Sequence, residues 1–516
     1  MRLLFSRVVL LAGLVASACA PASQPSGSTS PAQTEPPPPQ RLTIGNPNFL
    51  ANLDPHSNAG SYNGIKYTLF DTITRVDDKG NVGPWLATSW KVVNDTTWEF
   101  ALRNDVRFSN GEALDAAAVK FTIDRLVNPE NRLPLAGRIP LVSGAEVVNA
   151  TTVRFLTRRP DAILPARMAA IFVVPPAEVQ RLGAADFGLK PVGTGPFKLV
   201  EFVQDTRLVL EKYPESWRKS TIERLTFLHL PDGSSRVAAL RTGDVQMIYQ
   251  PPLDALAGLE RDGFVVASTT YARLHVTDLD TITEDTPLRN KLVRQALNYA
   301  VDKEAILKQI YGGRGRVADG QLVGPIGFGY DNTLKPYPYD PARARQLLAQ
   351  AGYPNGFTLK METPTSCLAI RDQTTALAGY LREVGVTTEI EVLENAPFLD
   401  RFYNRNGAKR APLFNWCPNY FPAMDADFTF QWYTTDAQKK VFSNPEVDRL
   451  YQQSTTELDP QRRLGLLKQI SAILREEAPV IFIIEPDDIH VISKRVQGFK
   501  PRSDGETQFE QISLTR

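Results

Sequence analysis

From residue 97 to 102 the chain alternates. Trp98, Phe100 and Leu102 fall on one side, Glu99 and Ala101 on the other. That period of two is the pattern of a half-buried strand. Asn110-Gly111 marks a turn beside it. The period then changes: over residues 115–126, Ala118, Val119, Ile123 and Leu126 share one face and Asp115 stands at the N-cap, which predicts a helix. A longer helix is expected over residues 289–311, striped by Val293, Leu297, Ala300, Val301 and Ile306. Asp340-Pro341 opens a third, with aspartate capping the first amides and proline in the first turn; Gly352 ends it. Short apolar runs at 42–44, 357–361, 388–392, 413–416 and 480–484 read as strands. Strands alternating with helices predict α/β lobes with largely parallel sheets.

The first forty residues follow neither period. Arg2 and Arg7 precede nine apolar residues, 8–16, and Ala16, Ser17 and Ala18 then place small side chains before Cys19. This is the layout of a secretory signal, 1–18, too short to cross a bilayer core that needs ~20 residues. The cysteine at the cleavage point resembles a bacterial lipobox, in which the thiol is acylated and becomes the first residue. One departure is Ala16, where that motif usually holds leucine. Residues 20–40 carry seven prolines and a single charge, Glu35. They cannot bury enough apolar surface to fold and instead form a tether, 19–40, with a reach of about 65 Å at ~3.1 Å per residue.

Residues 41–516 are too many for one ordinary core, so two or more lobes are expected. Hydrophobic content of 42% and charged content of 22% are those of a globular protein. Without residues 1–18, 56 basic side chains face 57 acidic ones. That near-neutral balance argues against nucleic acid, which binds through phosphate neutralisation. Beyond Cys19 only Cys367 and Cys417 remain, a candidate disulfide or two buried thiols. The four histidines, His56, His229, His275 and His490, lie in no metal-binding or catalytic motif, and no glycine-rich phosphate loop is present. Asp425 and Asp427 sit two residues apart with nothing further to support glycosidase chemistry. No cofactor or metal is called for.

Several stretches carry a resemblance. Residues 84–90 read PWLATSW, 97–103 read TWEFALR and 106–111 read VRFSNG. Next come VGTGPF at 192–197, RQALNYAVDK at 294–303, and Tyr339-Asp340-Pro341 leading to Ala351-Gly352-Tyr353-Pro354. In this order they resemble the motifs of the peptide/nickel-type solute-binding proteins, family 5, the extracytoplasmic receptors of ATP-binding-cassette importers. The resemblance implies a two-lobed flytrap with an extra subdomain in its first lobe. Lobe I would be 41–273 with a return at 487–516, the subdomain about 73–182, and lobe II 274–486. Hinge bending would close the cleft on a ligand. Gly193 and Gly195 would permit a tight turn and support the fold. The partners implied are a small-molecule or peptide ligand, a membrane permease and the membrane itself through the lipid anchor; the chain would act as a monomer and not as an enzyme, with an extracytoplasmic hydrolase as the alternative.

The resemblance also points to a cleft. Dipeptide receptors of this family place an aspartate three residues after a cleft tryptophan, where it pairs with the ligand's ammonium. Here Trp416 is followed by Asn419, which cannot neutralise an ammonium. Asp425 or Asp427 would have to substitute from a shifted position. Trp416 and Tyr420 match aromatic positions of the nickel-chelate receptors, and Arg371 lies where a carboxylate-binding arginine is found. Peptide, opine-like conjugate, oligosaccharide and metal chelate all remain open as ligands.

Overall fold

A computed structural model describes residues 39–57, 63–283, 285–403 and 408–516. The leader, Cys19 and most of the tether lie outside them. The principal strands are β1 (Arg41–Asn46), β2 (Ala87–Asn94), β3 (Thr97–Leu102), β4 (Val142–Asn149), β5 (Thr152–Thr157), β6 (Phe197–Val203), β7 (Arg207–Lys212), β8 (Arg224–His229), β9 (Met247–Tyr249), β10 (Val265–Thr270), β11 (His275–Leu279), β12 (Gly315–Val317), β13 (Phe357–Pro364), β14 (Val386–Leu393), β15 (Leu413–Trp416) and β16 (Val480–Ile492). A 12-stranded sheet runs β14-β13-β15-β11-β16-β9-β1-β8-β7-β6, with β10 and β12 also paired to β16. It is mixed rather than largely parallel. Parallel pairing is confined to β1 with β8 and β9, and β13 with β14 and β15. The long β16 takes only antiparallel partners. Strands such as β11, buried along all five residues, look alike in sequence whichever way their neighbours run.

Helix α1 (Ala116–Val127) starts as its sequence dictates: Asp115 accepts hydrogen bonds from the amides of Ala117 and Ala118, both at 2.9 Å. The helix expected over 289–311 is two helices, α2 (Lys291–Tyr299) and α3 (Lys303–Ile310). Asp302 makes the break by capping α3 at the Ala305 amide, 2.9 Å away. Lys303 holds it open, its buried ammonium donating to the carbonyls of Asn298, Val301 and Tyr337. In α4 (Pro341–Gln350), Asp340 caps the Arg343 amide at 2.8 Å, and Gly352 beyond its end takes a φ of +93°, a conformation that favours glycine.

A separate four-stranded sheet, β2-β3-β5-β4, packs against α1 around its own core of Phe100, Phe155, Val119 and Ile123. It is a hairpin used twice. Residues 91–100, KVVNDTTWEF, recur as residues 146–155, EVVNATTVRF. The geometry repeats with the sequence. Asn94 Oδ1 accepts from the Thr96 amide at 3.0 Å, and Asn149 Oδ1 from the Thr151 amide at 2.9 Å. Thr88 donates to the Ala101 carbonyl and Ser143 to that of Leu156, both at 3.2 Å. The irregularities between residues 87 and 89 and between 92 and 94 recur between 142 and 144 and between 147 and 149.

The buried Asp71 explains several of the motif residues. Its carboxylate accepts from Trp85 Nε1 and Trp217 Nε1 at 2.9 Å, Thr194 Oγ1 at 2.8 Å and Arg218 Nη1 at 2.9 Å. Four donors on one buried carboxylate satisfy its charge where water cannot. Gly193 and Gly195 serve the same junction, but not through a turn conformation. A side chain at Gly193 would overlap the Leu69 backbone, and one at Gly195 the backbone of Thr68 and Leu69, so the requirement is close approach.

Candidate functional site

Strand β16 crosses the molecule. Its first half pairs with β11 and β12, its second with β9 and β10. Since β10 ends at Thr270 and β11 begins at His275, the chain passes between these two regions a second time through residues 271–274, beside β16. The segment after β15 lies along this crossing. Leu274 N donates to Pro418 O at 2.9 Å, Tyr420 N to Ala272 O at 3.1 Å, and Asn419 bridges Arg273. Tyr271 stacks on Phe421 with ring centroids 5.1 Å apart, and the Arg273 guanidinium lies 4.6 Å from the Tyr271 ring.

Trp416 ends β15, half-buried, with the Phe402 ring 4.7 Å and the Trp432 ring 6.2 Å away. The Lys439 ammonium sits 4.5 Å from the Trp416 centroid, a cation–π contact. That ammonium is fully buried and pairs with Asp278 at 2.8 Å. Burial pushes it down to about 8 and pushes the Asp278 carboxyl up, each opposing the other's shift. Asn419 is half-buried, but its Oδ1 is enclosed and accepts no hydrogen bond from the described residues. An enclosed acceptor with no donor is costly, and a water, an ion or a ligand N–H can supply what it lacks.

Cys367 and Cys417 are paired as a disulfide with Cα atoms 6.7 Å apart. The pairing ties the start of helix α5 (Ile370–Glu383) to the end of β15. Arg371, the second residue of α5, is exposed. The bridge thus ties the stretch that carries Arg371 to the stretch that carries Trp416 and Asn419.

The remaining expected ligand contacts are placed differently. Tyr420 is wholly buried and donates its hydroxyl to Glu485, which Arg316 also holds at 2.9 Å. It is a core residue rather than an open wall. Asp425 is gripped by both terminal nitrogens of Arg463, at 2.6 and 2.7 Å. Asp427 pairs with Arg167 at 2.7 Å, and Arg167 reaches Asp161 at 3.1 Å. Burial works against the Arg167 charge, and the two carboxylates more than restore it. Both candidate carboxylates are therefore already neutralised, and neither stands in for the aspartate missing at Asn419. The arginines and Lys439 escaped sequence reasoning because their partners lie 38, 161 and 260 residues away. No local pattern signals such pairs. Around them, Val76, Ile163, Ala166 and Ala169 share one apolar cluster with Met424, Phe428 and Phe430.

The family model described as bacterial extracellular solute-binding proteins, family 5 Middle, matches residues 81–440. The glutathione-binding protein GsiB of Pectobacterium atrosepticum is 29% identical over 443 residues, which span 83% of this chain and 85% of that one. Among solved structures, the periplasmic binding protein DppA of Helicobacter pylori, in complex with the peptide STSA, superposes with a TM-score of 0.80 at 23% identity, over 92% of this chain and 99% of its own. NikA of Brucella suis, in complex with Fe(III)-EDTA, gives 0.81 at 25% identity, over 92% and 100%. The fold is thus the two-lobed α/β architecture of the periplasmic binding proteins, and these relatives are receptors rather than enzymes. Matched by the family model along well over half of its length, the chain belongs to family 5 of the bacterial extracellular solute-binding proteins.

Proposed function

We propose that this chain captures a small peptide-like solute outside the cytoplasm and hands it to an ATP-binding-cassette permease. Lobe I is 41–273 with 487–516 and carries the subdomain at about 73–182; lobe II is 274–486. Cys19 is the lipid anchor and residues 19–40 the tether. None of the described helices is long and apolar enough to cross a membrane, so the proposed attachment rests on the acylated cysteine.

The observation that carries the ligand class is the enclosed Asn419 Oδ1, an acceptor awaiting an N–H donor where the chain crosses between lobes. Trp416 walls the same point, and Arg371 supplies a guanidinium for a ligand carboxylate. A neutral acceptor suits an amide N–H or a substituted amine better than a free ammonium. The relative named for glutathione and the neighbour holding STSA point the same way.

Titration calorimetry of the purified chain against glutathione, short peptides, oligosaccharides and metal chelates tests this. One equivalent of a peptide-like ligand is expected, recovered intact. Asn419→Ala should weaken it about tenfold, the worth of one buried hydrogen bond of ~1.4 kcal/mol. Binding confined to saccharides or chelates overturns the ligand class.

A further inference from the structure

We propose that His275, Cys367 and Cys417 form a metal site for a thiophilic cation such as Zn2+ when the Cys367–Cys417 bridge is reduced. A ring nitrogen of His275 and the two sulfurs all lie within 4.8 Å of one another. A tetrahedral zinc with bonds of about 2.3 Å to sulfur and about 2.0–2.1 Å to nitrogen needs its ligands roughly 3.5–3.8 Å apart. Shifts on the order of 1 Å meet that requirement.

Three neighbouring strands deliver the ligands. His275 opens β11, opposite the end of β15, since Val276 is in register with Trp416 and Cys417 follows directly. Cys367 follows β13, the parallel neighbour of β15. Only His275 is carried on a strand; Cys417 lies directly beyond the end of β15 and Cys367 in the bend after β13. The histidine is oriented as metal ligands are. Its Nδ1 lies 3.2 Å from Gln373 Oε1 and 3.0 Å from the Tyr311 hydroxyl, and Tyr311 itself donates to Gln373 Oε1 at 3.0 Å. With Gln373 Oε1 accepting from the Nδ1–H, Nε2 keeps the lone pair for a cation. Gln373 and Tyr311 are both buried, which fixes the ring.

Reduction needs two small-molecule thiols. One attacks a bridge sulfur as thiolate and forms a mixed disulfide; the second releases the small-molecule disulfide and leaves both cysteines as thiols, with two electrons and two protons transferred. Both cysteines are half-buried rather than sealed, so a small thiol reaches them. The incoming cation displaces the two thiol protons, giving a neutral centre of two thiolates and one imidazole. Its fourth position is left for water or a donor from outside the protein.

Cobalt serves as the spectroscopic probe for zinc. The full chain is reduced with a phosphine, desalted without oxygen and titrated with Co2+. One equivalent should bind with thiolate-to-cobalt charge-transfer absorption, be displaced by Zn2+, and be absent from the oxidised protein. Cys367→Ser and Cys417→Ser should each abolish the band, and His275→Gln should weaken binding at least tenfold. Because His275 is buried, the wild-type cobalt form is also read by proton resonance for a shifted ring N–H of a bound imidazole. No thiolate band in the reduced chain, unchanged affinity in His275→Gln, or no shifted imidazole signal each overturns the site.

Discussion

Glu99 and Arg154 face each other across the two central strands of the small sheet, with Arg154 Nε 2.9 Å from Glu99 Oε2, on the axis that relates its two hairpins. Lys91 pairs with Glu99 at 3.1 Å on one side, and Glu146 stands in register with Arg154 on the other. A row of alternating charge therefore crosses all four strands, and the internal symmetry inverts its sign. Glu99→Arg sets like charges against both neighbours and should lower the urea midpoint. Inverting all four residues together should bring it back. A fourfold variant no better than the single one would show that the row contributes nothing.

Legibility varied with distance along the chain. The Trp98, Phe100, Leu102 alternation, the Asp115 and Asp340 caps and the Gly352 stop are local and read directly. The repeat of V-V-N-x-T-T at 92–97 and 147–152 was also in plain sight, yet a reading by period alone passes over it, because each hairpin has the same period as any other. The break before α3 turned on Lys303 folding back onto three carbonyls, which no stripe of apolar positions encodes. At the candidate site, Trp416 and Asn419 are expected from the family resemblance alone, whereas the cysteine pair is legible because only two cysteines follow Cys19. The commitment of Asp425 to Arg463 and of Asp427 to Arg167 was not, since only the fold brings those partners together.

Asp71 gathers Trp85, Trp217, Thr194 and Arg218 on one buried carboxylate. Asp71→Ala would leave two indole N–H groups and the Thr194 hydroxyl without their acceptor, and Arg218 with Glu510 as its remaining carboxylate, 2.7 Å away. The expected loss is about 3–5 kcal/mol, read by urea denaturation. A loss under ~1 kcal/mol would mean that Glu510, already 2.7 Å from Arg218, and water meet the whole demand.

His56 supplies a pH dependence. Burial holds its imidazole down at about 4; Asp54 favours the charged ring, while Arg125 and Lys66 oppose it. The neutral ring fits its contacts, with Nε2–H donating to Phe172 O at 2.8 Å and Nδ1 accepting from Arg125. The unfolded chain binds a proton near pH 6.5 and the folded chain only near pH 4. Stability is therefore complete above about 6.5 and lost as pH falls toward 4, by on the order of 3 kcal/mol from this one group. His56→Asn should flatten that part of the stability profile relative to wild type, whatever it does to the absolute midpoint. Parallel profiles for the two proteins between pH 4 and 6.5 would refute the assignment.

Arg167 and Asp427 lie 260 residues apart in sequence and 2.7 Å apart in space, both nearly sealed from water. Under the proposed boundaries they belong to opposite lobes, and the pair would then act as a latch of a closed form. Arg167→Met would leave Asp427 and Asp161 buried without a counter-charge, a penalty of about 3–5 kcal/mol. If the lobes can part, the molecule escapes the penalty by opening, since both carboxylates then regain water. A bias of ~3 kcal/mol shifts such an equilibrium by roughly 150-fold. The expected signature is a larger radius of gyration by small-angle scattering and weaker ligand binding, with the urea midpoint little changed. A falling midpoint at constant radius would instead place Arg167 and Asp427 within one rigid body and would force the lobe boundary to be redrawn.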